Sequence, residues 1–395
     1  MARKVLMRWP LGSMSGWELA GLNLFELWTA DPDIQPLMGV SIKSQDLAGI
    51  DPLRFSVMQP AIAAANQFLV ELTAGRISLG DQGAVVIDGF GNFGNGLVSL
   101  STSSDLGVRA VARCVFENTQ VGSVRLLESY DSVLCLSQWN ATVLRGITNK
   151  SVTVIHEGID HSLFFPGPRS GVLHPERFYV FTGGKVEYRK GQDLVILAFR
   201  EFAARHADAV LVAAWNSPFP RVSAGFQGEL AVPLRMESNG ALDLRRWASA
   251  NGINPRQFIA LPMGPNQMMP AVLREMDCAL QVSRCEGGTN LPAKEAMACG
   301  VPVILANNTG MRDLIDSGNC VSLTTQDPVD GKPGMSTDGW GESRVEEIVD
   351  ALERLYTDTQ MRKRIGARGA QWILERRRTW RDHSSELKAH ILSLL

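Results

Sequence analysis

Short apolar runs alternate with stretches of helical periodicity along most of the chain, the pattern of parallel strands covered by helices. In the first part the apolar runs predict strands over 4–9, 84–88, 109–117, 132–137 and 152–156. Helical spacing predicts helices over 17–29, 59–73 and 139–145. A stretch rich in Gly and Pro, 160–171, reads as a linker. The alternation then restarts, with strands over 178–182, 208–214, 258–261, 278–283 and 301–306 and a helix over 191–206. Amphipathic patterns over 345–356, 360–375 and 381–394 close the chain. No repeat of 20–50 residues is present.

Composition narrows this picture. With 395 residues, 45% of them hydrophobic and 20% charged, the chain is suited to two cores rather than one. A net charge of −2 excludes a general nucleic-acid binder, which needs surplus Lys and Arg. Residues 1–160 carry −4 and the remainder +2, a tilt that suits an anionic ligand on the second half. Six scattered cysteines without Cys-x-x-Cys spacing read as buried thiols in a reducing compartment. The first residues are too interrupted for a signal peptide, and no apolar run reaches the ~18 residues of a membrane span. A soluble, cytoplasmic protein is expected. The basic residues of the tail (Arg362, Lys363, Arg364, Arg368, Arg376, Arg377, Arg378 and Arg381) read first as a solvated helix face. Weak peripheral attraction to the inner face of a membrane is the other reading.

The segment 278–304 carries the most chemistry. An apolar strand ends at Ser283, a glycine-bearing loop follows, and Pro292 sits in the first turn of a helix that Gly300 stops. A loop from a strand's carboxyl end to a helix N-terminus is where open α/β sheets bind ligands. The free N–H groups of Thr289, Asn290 and Leu291 would face an anion there. Glu286 and Glu295 flank the turn, and ionised carboxylates accept hydrogen bonds from vicinal hydroxyls. One carboxylate for a ribose diol and one for a sugar hydroxyl would describe a nucleotide-sugar site. Carboxylates favoured by the helix dipole alone are the other reading, and the segment in isolation leaves both open.

Glu286-Gly287, Leu291-Pro292 and Glu295-Ala296-Met297-Ala298-Cys299-Gly300-Val301-Pro302-Val303-Ile304 resemble the glutamate-pair motif of retaining GT-B glycosyltransferases of family 4, the glycosyl transferases group 1 type. The spacing departs from that family: eight residues separate Glu286 from Glu295 where seven are usual. The resemblance implies an α/β chain of GT-B fold, two Rossmann-like domains facing a central cleft. The expected divisions are 1–165 on the acceptor side, 166–375 for the nucleotide sugar, and 376–395 as a helix packing back on the first domain. It further implies that Gly184, Lys185 and Lys190 meet the donor diphosphate, with Arg189 the rival of Lys190. Glu286 would hold the sugar, Glu295 the ribose, and Gly12 and Gly16 would lie on the acceptor side. Fixed cations there would stabilise the leaving diphosphate without a metal or other cofactor. Relatives carry a histidine at the end of a first-domain strand. Glu117 takes that place here, as a sugar ligand, a stabiliser of a developing oxocarbenium ion or an acceptor base, or else as a helix cap or the partner of an arginine.

The implied partners are a nucleotide-sugar donor and a saccharide, lipid-linked or small-molecule acceptor, in glycan or polysaccharide biosynthesis, with no nucleic acid. A nucleotide-sugar 2-epimerase on the same fold and a non-catalytic nucleotide-sugar binder are the alternatives. Two other patterns are set aside. Gly89-Phe90-Gly91-Asn92-Phe93-Gly94 fits a dinucleotide fingerprint but is followed by poor helix material, and reads as a flexible loop at the cleft. Asp31-Pro32-Asp33 follows a helix rather than ending a strand, unlike a metal-binding Asp-x-Asp. His156 reads as a structural strand-end histidine.

Overall fold

The structure is a computed structural model, and it describes residues 2–92, 97–99, 107–122, 124–217, 220–331, 336–376 and 378–395. Residues 3–154 supply the first sheet: β1 (Arg3–Arg8), β2 (Ile34–Met38), β3 (Val85–Asn92), β4 (Leu97–Ser99), β5 (Ala110–Cys114), β6 (Ser132–Cys135) and β7 (Val152–Val154). Six strands run parallel in the order β2-β1-β3-β5-β6-β7, and β4 pairs antiparallel with β3. Helices α1 (Gly16–Thr29), α2 (Pro52–Thr73) and α3 (Gln138–Arg145) join them. Nearly continuous apolar runs such as Val85-Val86-Ile87 fit strands covered on both faces.

Residues 178–323 build the second sheet from β8 (Phe178–Gly183), β9 (Ala209–Ala214), β10 (Phe258–Ala260), β11 (Cys278–Gln281), β12 (Val303–Ala306) and β13 (Val321–Leu323). All are parallel, in the order β10-β9-β8-β11-β12-β13. Counted from its own first strand this is 3-2-1-4-5-6, the doubly wound order, with its switch point between β8 and β11. Its helices are α4 (Gln192–Arg205), α5 (Pro220–Ser223), α6 (Leu244–Ala250), α7 (Met269–Leu273) and α8 (Leu291–Ala298), followed by α9 (Val345–Thr357), α10 (Thr359–Glu375) and α11 (Trp380–Ser393).

The chain crosses between the sheets twice, side by side. Ile159 N–H donates to Arg378 O at 3.0 Å, and Trp380 N–H to Ile159 O at 3.0 Å. Helix α11 then packs on the first sheet's core through Leu387 and Ile391. Lys388 Nζ fastens it, at 2.7 and 2.8 Å from Asp31 and 2.7 Å from Asp33. Asp31-Pro32-Asp33 therefore anchors the tail helix.

Of these strands the pattern missed β2, β4 and β13. Strand β2 contains Pro36, which lacks an N–H and is tolerated because β2 lies at the sheet edge. The segment 89–92, expected in a loop, continues β3, while Phe93 and Gly94 lie outside the described residues. All six cysteines are free, five of them buried. Among the described residues no helix is long and apolar enough to cross a membrane.

Candidate active site

Strand β11 ends at Gln281, at the switch point, and the loop after it leads into α8. Asn290 caps that helix: its Oδ1 accepts from Ala293 N–H at 2.9 Å. Its Nδ2 donates to Glu286 Oε1 at 2.8 Å, so one side chain fixes the helix start and the carboxylate before it. The N–H groups of Thr289, Asn290 and Leu291 donate to nothing among the described residues, and the buried Thr289 hydroxyl has no partner there either. They are the free donors of a helix N-terminus.

Glu286 is 5% exposed and surrounded by donors. Lys190 Nζ lies 2.7 and 2.9 Å from its two oxygens, Arg189 Nη1 3.0 Å from Oε2, and Ser283 Oγ 2.8 Å from Oε1. Burial disfavours its charge, but Lys190 and Arg189 outweigh that and hold its pKa below the ordinary carboxylate value. Burial draws Lys190 below the ordinary ammonium value, despite Glu286 beside it. Arg189 also meets Glu117 at 2.8 Å and Glu187 at 2.7 Å. Burial would discharge it, yet the three carboxylates keep its pKa raised. Lys185, partly exposed, joins the chain of charges through Glu187 at 3.1 Å. Lys185, Lys190, Glu117 and Glu286 therefore stand in one continuous ion network.

The loop between the glutamates is squeezed by its neighbours. A Cβ at Gly287 would stand 2.2 Å from Phe116 O, and one at Gly310 would stand 1.9 Å from Gly288 O. Only glycines permit those approaches. Gly310 N–H donates to Glu286 O at 3.0 Å, Ser137 Oγ to Gly287 O at 2.6 Å, and Glu286 N–H to Thr309 Oγ1 at 2.9 Å. Thr309, with φ of 38°, is the only non-glycine residue of positive φ among the described residues. For a β-branched side chain that is strained, and the strain sits directly under Glu286.

Arg284, fully buried, underpins the cations. Its guanidinium holds Asp193 at 2.8 and 2.7 Å and Tyr188 O at 2.8 Å, while its N–H donates to Arg189 O at 2.6 Å. The turn bearing Arg189 and Lys190 is thereby tied to the β11 loop.

Glu295 stands apart from this network. It is 7% exposed, and its one recorded hydrogen bond among the described residues is from Asn266 Nδ2 at 2.7 Å. Desolvation raises its pKa to about 7. It lines, with Leu291, an interdomain cavity of about 220 Å³.

The first domain also reaches the site near Gly16 and near Glu117. Gly16 lies against Leu291, 3.4 Å from where its Cβ would be, and Asn266 N–H donates to Ser13 O at 3.1 Å. Gly12, in contrast, is buried and packed against Glu18 and Asp46. The strand expected to run to residue 117 stops at Cys114, and three residues beyond it Glu117 O accepts from Cys285 Sγ at 3.1 Å and from Trp340 Nε1, while burial pushes the Glu117 carboxyl pKa up despite Arg189. Gly184, φ 131°, packs beside the Lys190 stem, and its N–H is taken by Ala214 O at 3.2 Å. His156 Nε2 is bonded to Asp313 at 2.9 Å.

Sequence reasoning passed over Asn266, Thr309 and the Asp193–Arg284 pair. The first two come from loops without a strong pattern. An arginine directly after a strand, in contrast, was a signal for a buried partner. Among the described residues no group of three or more His, Cys, Asp or Glu is arranged to hold a metal ion.

A family model described as Glycosyl transferases group 1 matches residues 168–372, just over half of the chain. The chain belongs to that family. Among curated relatives, this group 1 family member is similar to the GDP-mannose-dependent alpha-(1-6)-phosphatidylinositol monomannoside mannosyltransferase of Mycolicibacterium smegmatis. The two are 25% identical over 284 residues, covering 68% of this chain and 64% of the relative. It is 27% identical over 215 residues to D-inositol 3-phosphate glycosyltransferase 1 of Catenulispora acidiphila, covering 53% and 45% of the two chains. The chain thus spans less than two thirds of the length of either relative. Among solved structures it resembles sucrose-phosphate synthase from Thermosynechococcus elongatus, with TM-score 0.67, 15% identity and 99% coverage of both chains. It also resembles Anabaena HepE in complex with UDP-glucose, with TM-score 0.64, 16% identity and coverage of 99% and 100%. At such identity the likeness is one of fold, and that fold is GT-B: two Rossmann-like domains across a cleft.

Proposed function

We propose that this group 1 family member is a retaining glycosyltransferase that moves a sugar from a nucleotide diphosphate to a hydroxyl acceptor, a saccharide or a lipid-linked group. The observation that carries the reading is the meeting of Lys190, Arg189 and Glu286 with the unfilled N–H groups of Thr289, Asn290 and Leu291 at the sheet's switch point. The names of the relatives agree with it: two are glycosyltransferases of inositol compounds, and HepE was solved with UDP-glucose.

In this reading the donor diphosphate takes Lys190 and the start of α8, and Glu286, released from Lys190, turns to the sugar hydroxyls. Glu295 takes the ribose diol. Gly16 brings the first domain's backbone up to the phosphates. The bond from sugar C1 to the diphosphate oxygen breaks, its electron pair leaving with the diphosphate. Lys190 and Arg189 stabilise that charge without a metal. The acceptor oxygen bonds to C1 on the same face, and its proton passes to the departing phosphate oxygen or to Glu117, which lies beyond β5 against Arg189. Closure of the cleft keeps water from competing.

The test is product analysis with a nucleotide sugar and a panel of hydroxyl acceptors. Release of the nucleoside diphosphate with a new glycoside of unchanged anomeric configuration supports the reading. An epimerised donor without acceptor consumption, or binding without turnover, contradicts it.

A further inference from the structure

The segment after β5 is gripped from the second domain by its main chain. A carbonyl oxygen has two lone pairs, and Glu117 O is met by two donors from across the cleft: the Cys285 thiol at 3.1 Å and the indole N–H of Trp340. A thiol is a weak donor, so Trp340 is the firmer hold. Two residues on, Thr119 N–H donates to Asp338 O at 3.2 Å.

Trp340 comes from a short antiparallel pair, β14 (Asp327–Pro328) with β15 (Gly341–Glu342), that stands outside both main sheets. The pair is fastened to the same frame as the cations. Gly341 N–H donates to Arg284 O at 3.0 Å, Asn308 Nδ2 to Gly341 O at 2.9 Å, and Glu342 meets the Arg284 guanidinium. The buried Trp340 ring lies 6.1 Å from that of Tyr188, the residue before Arg189. Gly339, with φ of 82°, lets the chain reach the first domain. A Cβ there would stand 2.8 Å from Thr119 Cγ2 and 3.3 Å from Trp139 Cζ2.

Holding Glu117 O fixes where its side chain leaves the backbone. That carboxylate meets Arg189 at 2.8 Å, and Arg189 shares Glu286 with Lys190. The donors lie on one domain and the carbonyl on the other, so the grip holds only while the cleft is closed as here.

We propose that Trp340 is a positioning residue for the transfer: its indole N–H grips Glu117 O across the closed cleft and thereby sets the Glu117 carboxylate against Arg189, ready for the acceptor's proton. The proposal rests on the reading of the chain as a glycosyltransferase.

Steady-state kinetics of the full chain test it, in the wild type, Trp340→Phe, Glu117→Gln and the double variant, with the donor and acceptor pair that product analysis selects. Phenylalanine keeps an aromatic ring beside Tyr188 and loses the N–H. Trp340→Phe should lower kcat about tenfold with donor KM nearly kept. In the Glu117→Gln background the same change should cost less than about twofold, because no base is left to misplace. Equal losses in both backgrounds, or a Glu117→Gln enzyme with full kcat, overturns the proposal. Gly339→Ala, at an exposed position, pushes the turn off Thr119 without altering Trp340, and should give the same pattern if Trp340→Phe does not fold.

A second measurement needs no turnover. Cys285 is fully buried against Glu117 O, and Cys278 is fully buried in β11. N-ethylmaleimide labelling read by mass spectrometry should run about tenfold faster at Cys285 in Trp340→Phe, with Cys278 unchanged. Unchanged labelling of Cys285, or equal acceleration at both cysteines, overturns the grip. A wild type that forms no glycoside brings down the transferase reading and this role with it, whereas equal losses in an active enzyme bring down the role of Trp340 alone.

Discussion

Lys190 and Glu286 form an ion pair at 2.7 Å that joins the turn before α4 to the loop before α8. Each blocks what the other would do for a donor. The ammonium cannot serve a phosphate while it serves the carboxylate, and the carboxylate cannot accept from a sugar while its oxygens are filled. In the proposed function, donor binding is therefore an exchange of partners, and its strength would reflect the diphosphate's advantage over Glu286.

Glu295 makes the protein's stability and its ligand affinity depend on pH in a definable window. Its carboxyl titrates near the ordinary 4.5 when unfolded and about 7 when folded. Below pH 4.5 it is neutral in both states. As pH rises to 7 the unfolded chain loses the proton first, and stability falls by on the order of 3 kcal/mol. Denaturant unfolding of Glu295→Gln against wild type should therefore show a variant advantage that grows from pH 4.5 to 7 and then levels. If Glu295 takes the ribose diol as proposed, nucleotide affinity should rise through pH 7 in the wild type and stay level in the variant, because that contact needs the ionised form.

Gly310→Ala should disturb the site without touching a charged residue. A methyl there meets Gly288 O at 1.9 Å and Glu286 O at 2.7 Å, both backbone atoms that cannot swing away. A loss of about 1–3 kcal/mol of stability is expected. Turnover should fall more than the melting temperature alone accounts for, as seen by comparing donor affinity at a temperature where the variant stays folded.

Asp193→Asn removes the carboxylate from a pair whose two side chains are fully buried. Arg284 keeps Glu342 and Tyr188 O but loses its two charge-assisted bonds to Asp193, a cost of about 1.5–3 kcal/mol, measurable as a lower denaturation midpoint at constant slope.

Glu117→Gln separates two roles in the segment after β5. As acceptor base, Glu117 would cost about 100-fold in kcat when neutralised, with donor affinity nearly kept. As a prop for Arg189 alone, at 2.8 Å, its loss would appear in donor affinity instead. Steady-state kcat and KM for the donor distinguish the two, and the first outcome is expected.

Much of the frame was legible because burial on both faces writes continuous apolar runs, as at Val85-Val86-Ile87 and Val303-Ile304. Strand β2 escaped because Pro36 and flanking polar residues belong to an edge. The Glu286 loop could be placed at a helix N-terminus from Asn290 and Pro292 alone. What the chain could not disclose is contact at long range. Nothing local says that Gly287 presses on Phe116, that Thr309 is twisted to hold Glu286 N–H, or that Glu295 and Glu26 share a cavity. Those depend on how the two domains meet.

The most direct test of the donor site is calorimetric titration of the full chain with a nucleoside diphosphate at pH 8, comparing wild type with Lys190→Ala. The account predicts saturable binding at one site, weakened by about 1.5–3 kcal/mol in the variant as a charge-assisted hydrogen bond is lost. Equal affinity in the two proteins, or no binding by either, would contradict it.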